Sequence, residues 1–223
     1  MLANLGDNVK VLSIFGPQSS GKSTLLNYLF GAQFAVSAGR CTRGMNISYV
    51  NTNYAGHTGV LIIDTEGFLA VERGDRHFDV QMALLSIACS NTVMINIAKN
   101  IDEPMCNILS VAIFCLHRLR LVAVDSHPTV KFVLRDVHVS EEEKDASFGI
   151  QKQKILDKLQ QIAEIYKESL ETLGLGDITV VALPSAFIRK RGNIDFSVKV
   201  KNLRAVLLEE PSKSEIRRWY VNT

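Results

Sequence analysis

Residues 16–24 read Gly16-Pro17-Gln18-Ser19-Ser20-Gly21-Lys22-Ser23-Thr24. The spacing matches GxxxxGK[ST], which background glycine usage would produce by chance about once in 100 chains of this length. The stretch follows an apolar, β-branched run, Val9 to Phe15, and opens onto Leu25, Leu26 and Leu29 at helical spacing. A strand, a glycine loop and a helix in that order form a phosphate cradle. The glycines let the backbone turn tightly so that successive N–H groups point inward, and the helix adds its positive end. All nine residues are expected to line that cradle. Lys22 reaches the β- and γ-phosphates, and the Ser23 hydroxyl binds Mg²⁺.

A phosphate loop alone does not separate kinases, ATPases and GTPases, so the partners downstream matter. The apolar run Leu61-Ile62-Ile63 ends on Asp64-Thr65-Glu66-Gly67. A carboxylate at a strand end suits water-mediated Mg²⁺ binding, which assigns Asp64 to the metal with Ser23. The Gly67 N–H can meet a γ-phosphate, a contact that hydrolysis would remove. Between the two motifs, Thr42 stands about 20 residues after Ser23, where a GTPase places its second protein ligand for Mg²⁺. The base is read by the fourth feature, the strand Thr129 to Leu134 ending in Arg135-Asp136. Guanine presents two donors side by side, which one carboxylate can accept together, whereas adenine presents an acceptor there. Asp136 therefore suits guanine, with the stem of Arg135 able to lie against the base.

The remaining pattern alternates strands and helices. Strands are expected at Val9–Phe15, Asn46–Asn53, Thr58–Asp64, Thr92–Ala98, Thr129–Leu134 and Ile178–Leu183. Helices are expected at Lys22–Phe30, Asp79–Cys89, Cys106–Arg120 and Asp195–Glu209. One more helix begins at a capping box offered by Ser140 and Glu143. Its apolar face runs through Leu156, Leu159, Ile162, Ala163, Tyr166, Leu170 and Leu173 to Gly174. The order predicts a three-layer α/β domain of P-loop NTPase type with a mainly parallel central sheet. Residues 1–195 are assigned to that domain. Residues 196–223 are assigned to a C-terminal helix and tail that can begin a longer helical region.

The whole chain sets the limits. Its 223 residues are 47% hydrophobic and 22% charged, with a formal net charge of +2. That balance makes no case for nucleic acid as a partner. No run is long and apolar enough to span a bilayer; the longest, from Leu109, is broken by His117, Arg118 and Arg120. The four cysteines form no CxxC pair and read as reduced thiols, which points to the cytoplasm, with the nucleus as the other reducing compartment. The five histidines lack metal-ligand spacing.

With these motifs placed, the chain resembles the G domains of the dynamin superfamily. GPQSSGKSTLLN, the Thr42-Arg43-Gly44 segment, Asp64-Thr65-Glu66-Gly67 and Arg135-Asp136 carry the resemblance. The RD ending points to the branch with guanylate-binding proteins, atlastins and Sey proteins. The stretch Gln33 to Gly44 looks closest to the very large interferon-inducible GTPases. The resemblance implies a domain that binds GTP with Mg²⁺, pairs with a second copy across the nucleotide face, and hydrolyses GTP when paired.

Two positions depart from the family pattern. Ser19 stands where guanylate-binding proteins and atlastins carry an arginine finger, and Phe68 leaves no glutamine after Gly67. Arg40 and Arg43 are then the near candidates for a catalytic arginine, with Arg40 favoured. Gln18, Ser19 and Glu66 are the candidates for holding the attacking water, and Thr42 joins the catalytic set. The alternative reading is a GTP-gated scaffold with little turnover. An ATPase or small-molecule kinase is the third reading, and Asp136 argues against it.

Overall fold

The computed structural model describes residues 8–35, 44–65, 76–98, 103–122, 128–136, 144–175, 178–188 and 191–209. In chain order the elements are β1 (Val9–Phe15), α1 (Lys22–Phe30), β2 (Met45–Asn51), β3 (Gly59–Thr65), α2 (Arg76–Cys89), β4 (Thr92–Ala98) and α3 (Glu103–Val122). They continue with β5 (Thr129–Arg135), α4 (Lys144–Ile165), β6 (Thr179–Ala182), β7 (Phe187–Ile188), β8 (Arg191–Gly192) and α5 (Ile194–Glu209).

Six strands form one sheet in the order β2-β3-β1-β4-β5-β6. All its pairings are parallel except the antiparallel β2–β3 pair. The alternation of side chains sorts the sheet's residues onto two faces. Val93, Ile95 and Ile97 of β4 and Val130, Phe132 and Leu134 of β5 pack with buried residues of α2, α3 and α4. Met94 and Val133 point the other way and join Leu12, Ile14, Val60 and Ile62 against α1 and α5. The result is the expected three-layer α/β architecture. Phe196, Val200, Leu203 and Leu207 of α5 belong to this second core, so position 195 lies in the first turn of a helix packed on the sheet.

The parallel strands all run toward the loop at residues 16–21. Below them, Asn91 acts as a clip: its Oδ1 accepts from Val11 N at 2.7 Å and its carbonyl accepts from Thr129 N at 2.9 Å. On edge strand β2, the Tyr49 ring covers Gly59 so closely that a Cβ there would collide with the phenol. Glycine is what lets this cross-strand aromatic lie flat on its neighbour.

Two local features differ from expectation. The apolar stripe predicts a helix through Leu173, but α4 stops at Ile165. Lys167 takes the left-handed φ of 55°, with Lys167 N donating to Glu164 O and Glu168 N to Ala163 O. This is a Schellman end built without glycine, so no sequence signal marks it. Leu173 is buried beyond the helix, in the turns that follow it. The Ser140–Glu143 capping box lies outside the described residues. The short antiparallel pair β7–β8 is not expected from the sequence pattern, since each strand holds only two residues.

The end of α5 is tied to the turn between β2 and β3. Tyr54 Oη donates to Glu209 Oε1 at 2.9 Å, and His57 Nε2 donates to the Leu208 carbonyl at 3.0 Å.

Candidate functional site

The loop between β1 and α1 closes on itself through Lys22. Its Nζ donates to Gly16 O at 3.1 Å and Pro17 O at 2.9 Å, and the side chain is buried. Gly16 is required by crowding: a Cβ there would stand 2.5 Å from the Asn96 main-chain oxygen. Gly21 caps α1 in the left-handed conformation, φ 78°, and Ser19 is left-handed too at 58°. Such turns converge N–H groups onto an anion. No acidic residue occupies the first turn of α1, so its positive end is not offset there.

Strand β3 brings Asp64 to the same place. Asp64 is buried beside β1, and its Oδ2 accepts from Ser23 Oγ at 2.6 Å. The next residue, Thr65, donates its hydroxyl to Ile14 O at 2.6 Å, which locks the ends of β3 and β1 together. A serine hydroxyl and a carboxylate are hard oxygen donors, the set that suits Mg²⁺.

Strand β5 ends at the loop as well. Arg135 Nη1 donates to Gly21 O at 3.3 Å, and its guanidinium carbon lies 5.8 Å from the Phe196 ring centroid. Burial pushes the Arg135 guanidinium down in pKa, and the neighbouring Asp136 charge pushes the other way. The guanidinium is thus engaged by the phosphate loop and α5. Asp136 follows at the strand end, half-buried and left-handed with φ 57°.

The structure therefore gathers Gly16, Gly21, Lys22, Ser23, Asp64 and Arg135 at one end of the sheet. Pro17, Gln18, Ser20 and Thr24 are half-buried parts of the same loop and helix start, and Ser19 is exposed. Arg40, Thr42, Arg43, Glu66, Gly67 and Phe68 lie outside the described residues. One contributor is not legible in the sequence. Asn96, inside the apolar strand β4, donates through Nδ2 to Ser20 O at 2.8 Å and Ser20 Oγ at 3.0 Å. An amide amid Val, Met and Ile is the available signal. Among the described residues, no helix is long and apolar enough to cross a membrane.

Comparison with known proteins gives a consistent picture. A family model described as the URGCP-like GTPase domain matches residues 4–182. The interferon-induced very large GTPase 1 of Homo sapiens is 35% identical over 177 residues, covering 76% of this chain and 7% of that protein. Its Mus musculus counterpart is 40% identical over 134 residues, 57% of this chain and 5% of that protein. The SEY1 homolog 1 of Paramecium tetraurelia is 37% identical over 144 residues, 60% of this chain and 18% of that protein. The chain thus spans a small part of the curated relatives it matches. Among solved structures, a dimerization-deficient mutant of Toc33 from Arabidopsis thaliana superposes with TM-score 0.63 at 14% identity, covering 91% of this chain and 84% of that one. At that identity the likeness concerns the fold.

Proposed function

Because the chain belongs to the URGCP-like GTPase domain family, a P-loop GTPase group related to the dynamin and Sey proteins, we propose that it hydrolyses GTP to GDP and phosphate with Mg²⁺ and self-associates when loaded. The observation that carries this reading is the Ser23–Asp64 contact at the mouth of a loop closed by Lys22. A cation drawn to that oxygen pair would sit beside phosphates held by the backbone of residues 16–24. Held there by Ser23 and Asp64, Mg²⁺ would supply positive charge to offset the charge developing on the phosphates.

The chain's own residues then divide the work. Main-chain N–H groups of the loop and Lys22 hold the β- and γ-phosphates. Asp136 accepts the two guanine donors, with the nearby Arg135 stiffening that strand end against Gly21. A water oxygen attacks the γ-phosphorus, the bond to the β–γ bridging oxygen breaks, and the water's proton ends on the released phosphate. Gln18, Ser19 and Glu66 are the residues proposed to orient that water. Thr42 is proposed as a metal ligand in the loaded state, and Gly67 as a γ-phosphate donor.

Ser19 supplies no charge where a finger in cis would stand, so we assign the catalytic arginine to Arg40, with Arg43 as the substitute. A second copy docked on the nucleotide face would hold it in place, as an isologous dimer allows. Toc33, one of the solved structures of similar fold, was solved as a dimerization-deficient mutant. The proposed location is the cytoplasm.

Competition for a labelled nucleotide by GTP and ATP tests the base. Lys22→Ala tests the cradle, because a charge-assisted hydrogen bond from the lysine to phosphate is worth about 1.5–3 kcal/mol. Turnover per molecule measured across a hundredfold dilution tests pairing. A flat profile, with Arg40→Ala and Arg43→Ala fully active, returns the case to a slow monomeric switch.

A further inference from the structure

We infer that Asn96 is a positioning residue for the phosphate cradle, acting through the peptide that joins Ser20 to Gly21. The inference rests on the nucleotide-binding reading above. Asn96 is fully buried in β4, flanked by Ile95 and Ile97 and following Met94 on its own face, with Thr92 the other buried polar side chain of the strand. Burying an amide is costly unless its groups are paired. Packing alone would favour another Leu or Met there.

Its hydrogen bonds explain the choice. Nδ2 donates to both the carbonyl and the hydroxyl of Ser20. Two acceptors on Ser20 require the donor half of the amide to face the loop, which settles the orientation of the side chain. Oδ1 finds no hydrogen-bond partner among the described residues, so the donor half is what this position uses.

The consequence follows from peptide geometry. In a planar trans peptide the carbonyl and the following N–H point in opposite directions. Holding Ser20 O against β4 therefore aims the Gly21 N–H away from the sheet. The next carbonyl, that of Gly21, is held in turn by Leu25 N at 2.9 Å and by Arg135, which aims the Lys22 N–H. Ser19 and Gly21 are left-handed and Ser20 between them is not, the alternation that makes N–H groups converge. The main chain of Asn96 also walls off Gly16. One residue of β4 thus touches both ends of the loop and sets the direction of its donors before any phosphate arrives.

The test uses Asn96→Leu, which removes the donor at similar volume, and Asn96→Asp, which keeps the shape and replaces the donor with a carboxylate oxygen. Both are expected to raise the Kd for GDP at least about tenfold, the scale of one aligned hydrogen bond. The β-phosphate ³¹P resonance of bound GDP should move, while the melting temperature of nucleotide-free Asn96→Leu stays within a few degrees of the parent. A merely structural role would move the melting temperature and leave the resonance in place. GDP affinity within twofold of the parent, with an unshifted resonance, overturns the inference. Should neither variant fold, hydrogen exchange in the parent decides. The Asn96 side-chain amide protons are expected to be protected without nucleotide, and unprotected protons overturn the inference. A parent chain that binds no GDP defeats the nucleotide reading itself, and the inference falls with it. A parent that binds, with variants that match it, defeats the inference alone.

Discussion

Ser23 Oγ donates to Asp64 Oδ2 across 2.6 Å, joining the first turn of α1 to the end of β3 over 41 positions of sequence. The two oxygens share one proton where a divalent cation would replace it. Asp64→Ala is therefore expected to remove the gain in GTP affinity that Mg²⁺ provides, while affinity in excess chelator changes little. Titrations with and without Mg²⁺ on both forms measure this. A parent-sized Mg²⁺ effect in the variant would remove Asp64 from the metal site.

Asp136→Asn should discriminate between nucleotides. An amide offers one acceptor to the two guanine donors and sets its own donor against the other. Sites built on hydrogen bonds reject such mismatches strongly, so GTP affinity should fall about a hundredfold or more while ATP affinity is unchanged. Equal losses for both nucleotides would show that Asp136 does not read the base.

Gly16→Ala tests crowding rather than charge. Its Cβ would meet a backbone oxygen, that of Asn96, at 2.5 Å, and backbone cannot swing aside as a side chain can. Overpacking of this kind costs about 1–3 kcal/mol, which in a domain of this size lowers Tm by about 2–12 °C. Thermal melting without nucleotide reads it. An unchanged Tm would mean that the loop relaxes freely.

Cys115 should resist alkylation. It is fully buried in α3, and burial pushes its thiol up to about 12. At pH 8 roughly one thiol in ten thousand would then be the reactive thiolate, against about one in four for an ordinary cysteine. The sign is that of a folded pKa raised above the unfolded one. The folded state keeps its proton more tightly, so this group's contribution to stability is present below the unfolded pKa and declines as pH rises above it. Mass-spectrometric mapping after iodoacetamide treatment at pH 8 should find Cys115 unmodified until denaturant unfolds the chain.

The sequence reads most clearly where chemistry and local pattern coincide. The run ending in Asp64 and the loop from Gly16 to Ser23 are contiguous, so their strand, turn and helix are visible in short windows. Asn96 is different. Its role depends on a loop residue 76 positions away, a pairing that no local window holds. The end of α4 is hidden for another reason: Lys167 adopts the left-handed turn that glycine usually advertises, and the apolar stripe runs on past it. Arg135 is legible as a residue of the site, but the direction of its guanidinium is set by Gly21 and Phe196, from two other elements.

The ties from Tyr54 to Glu209 and from His57 to Leu208 have a mechanical consequence. They anchor the last turn of α5 to the hairpin bend that begins β3. A pull on that turn of helix would not be borne by the apolar face of α5 alone. Part of the load would pass into the bend and along β3, whose 7 residues make a stiff rod about 20 Å long. Its far end carries Asp64. Tension at the bend would thereby reach the strand end that holds the carboxylate.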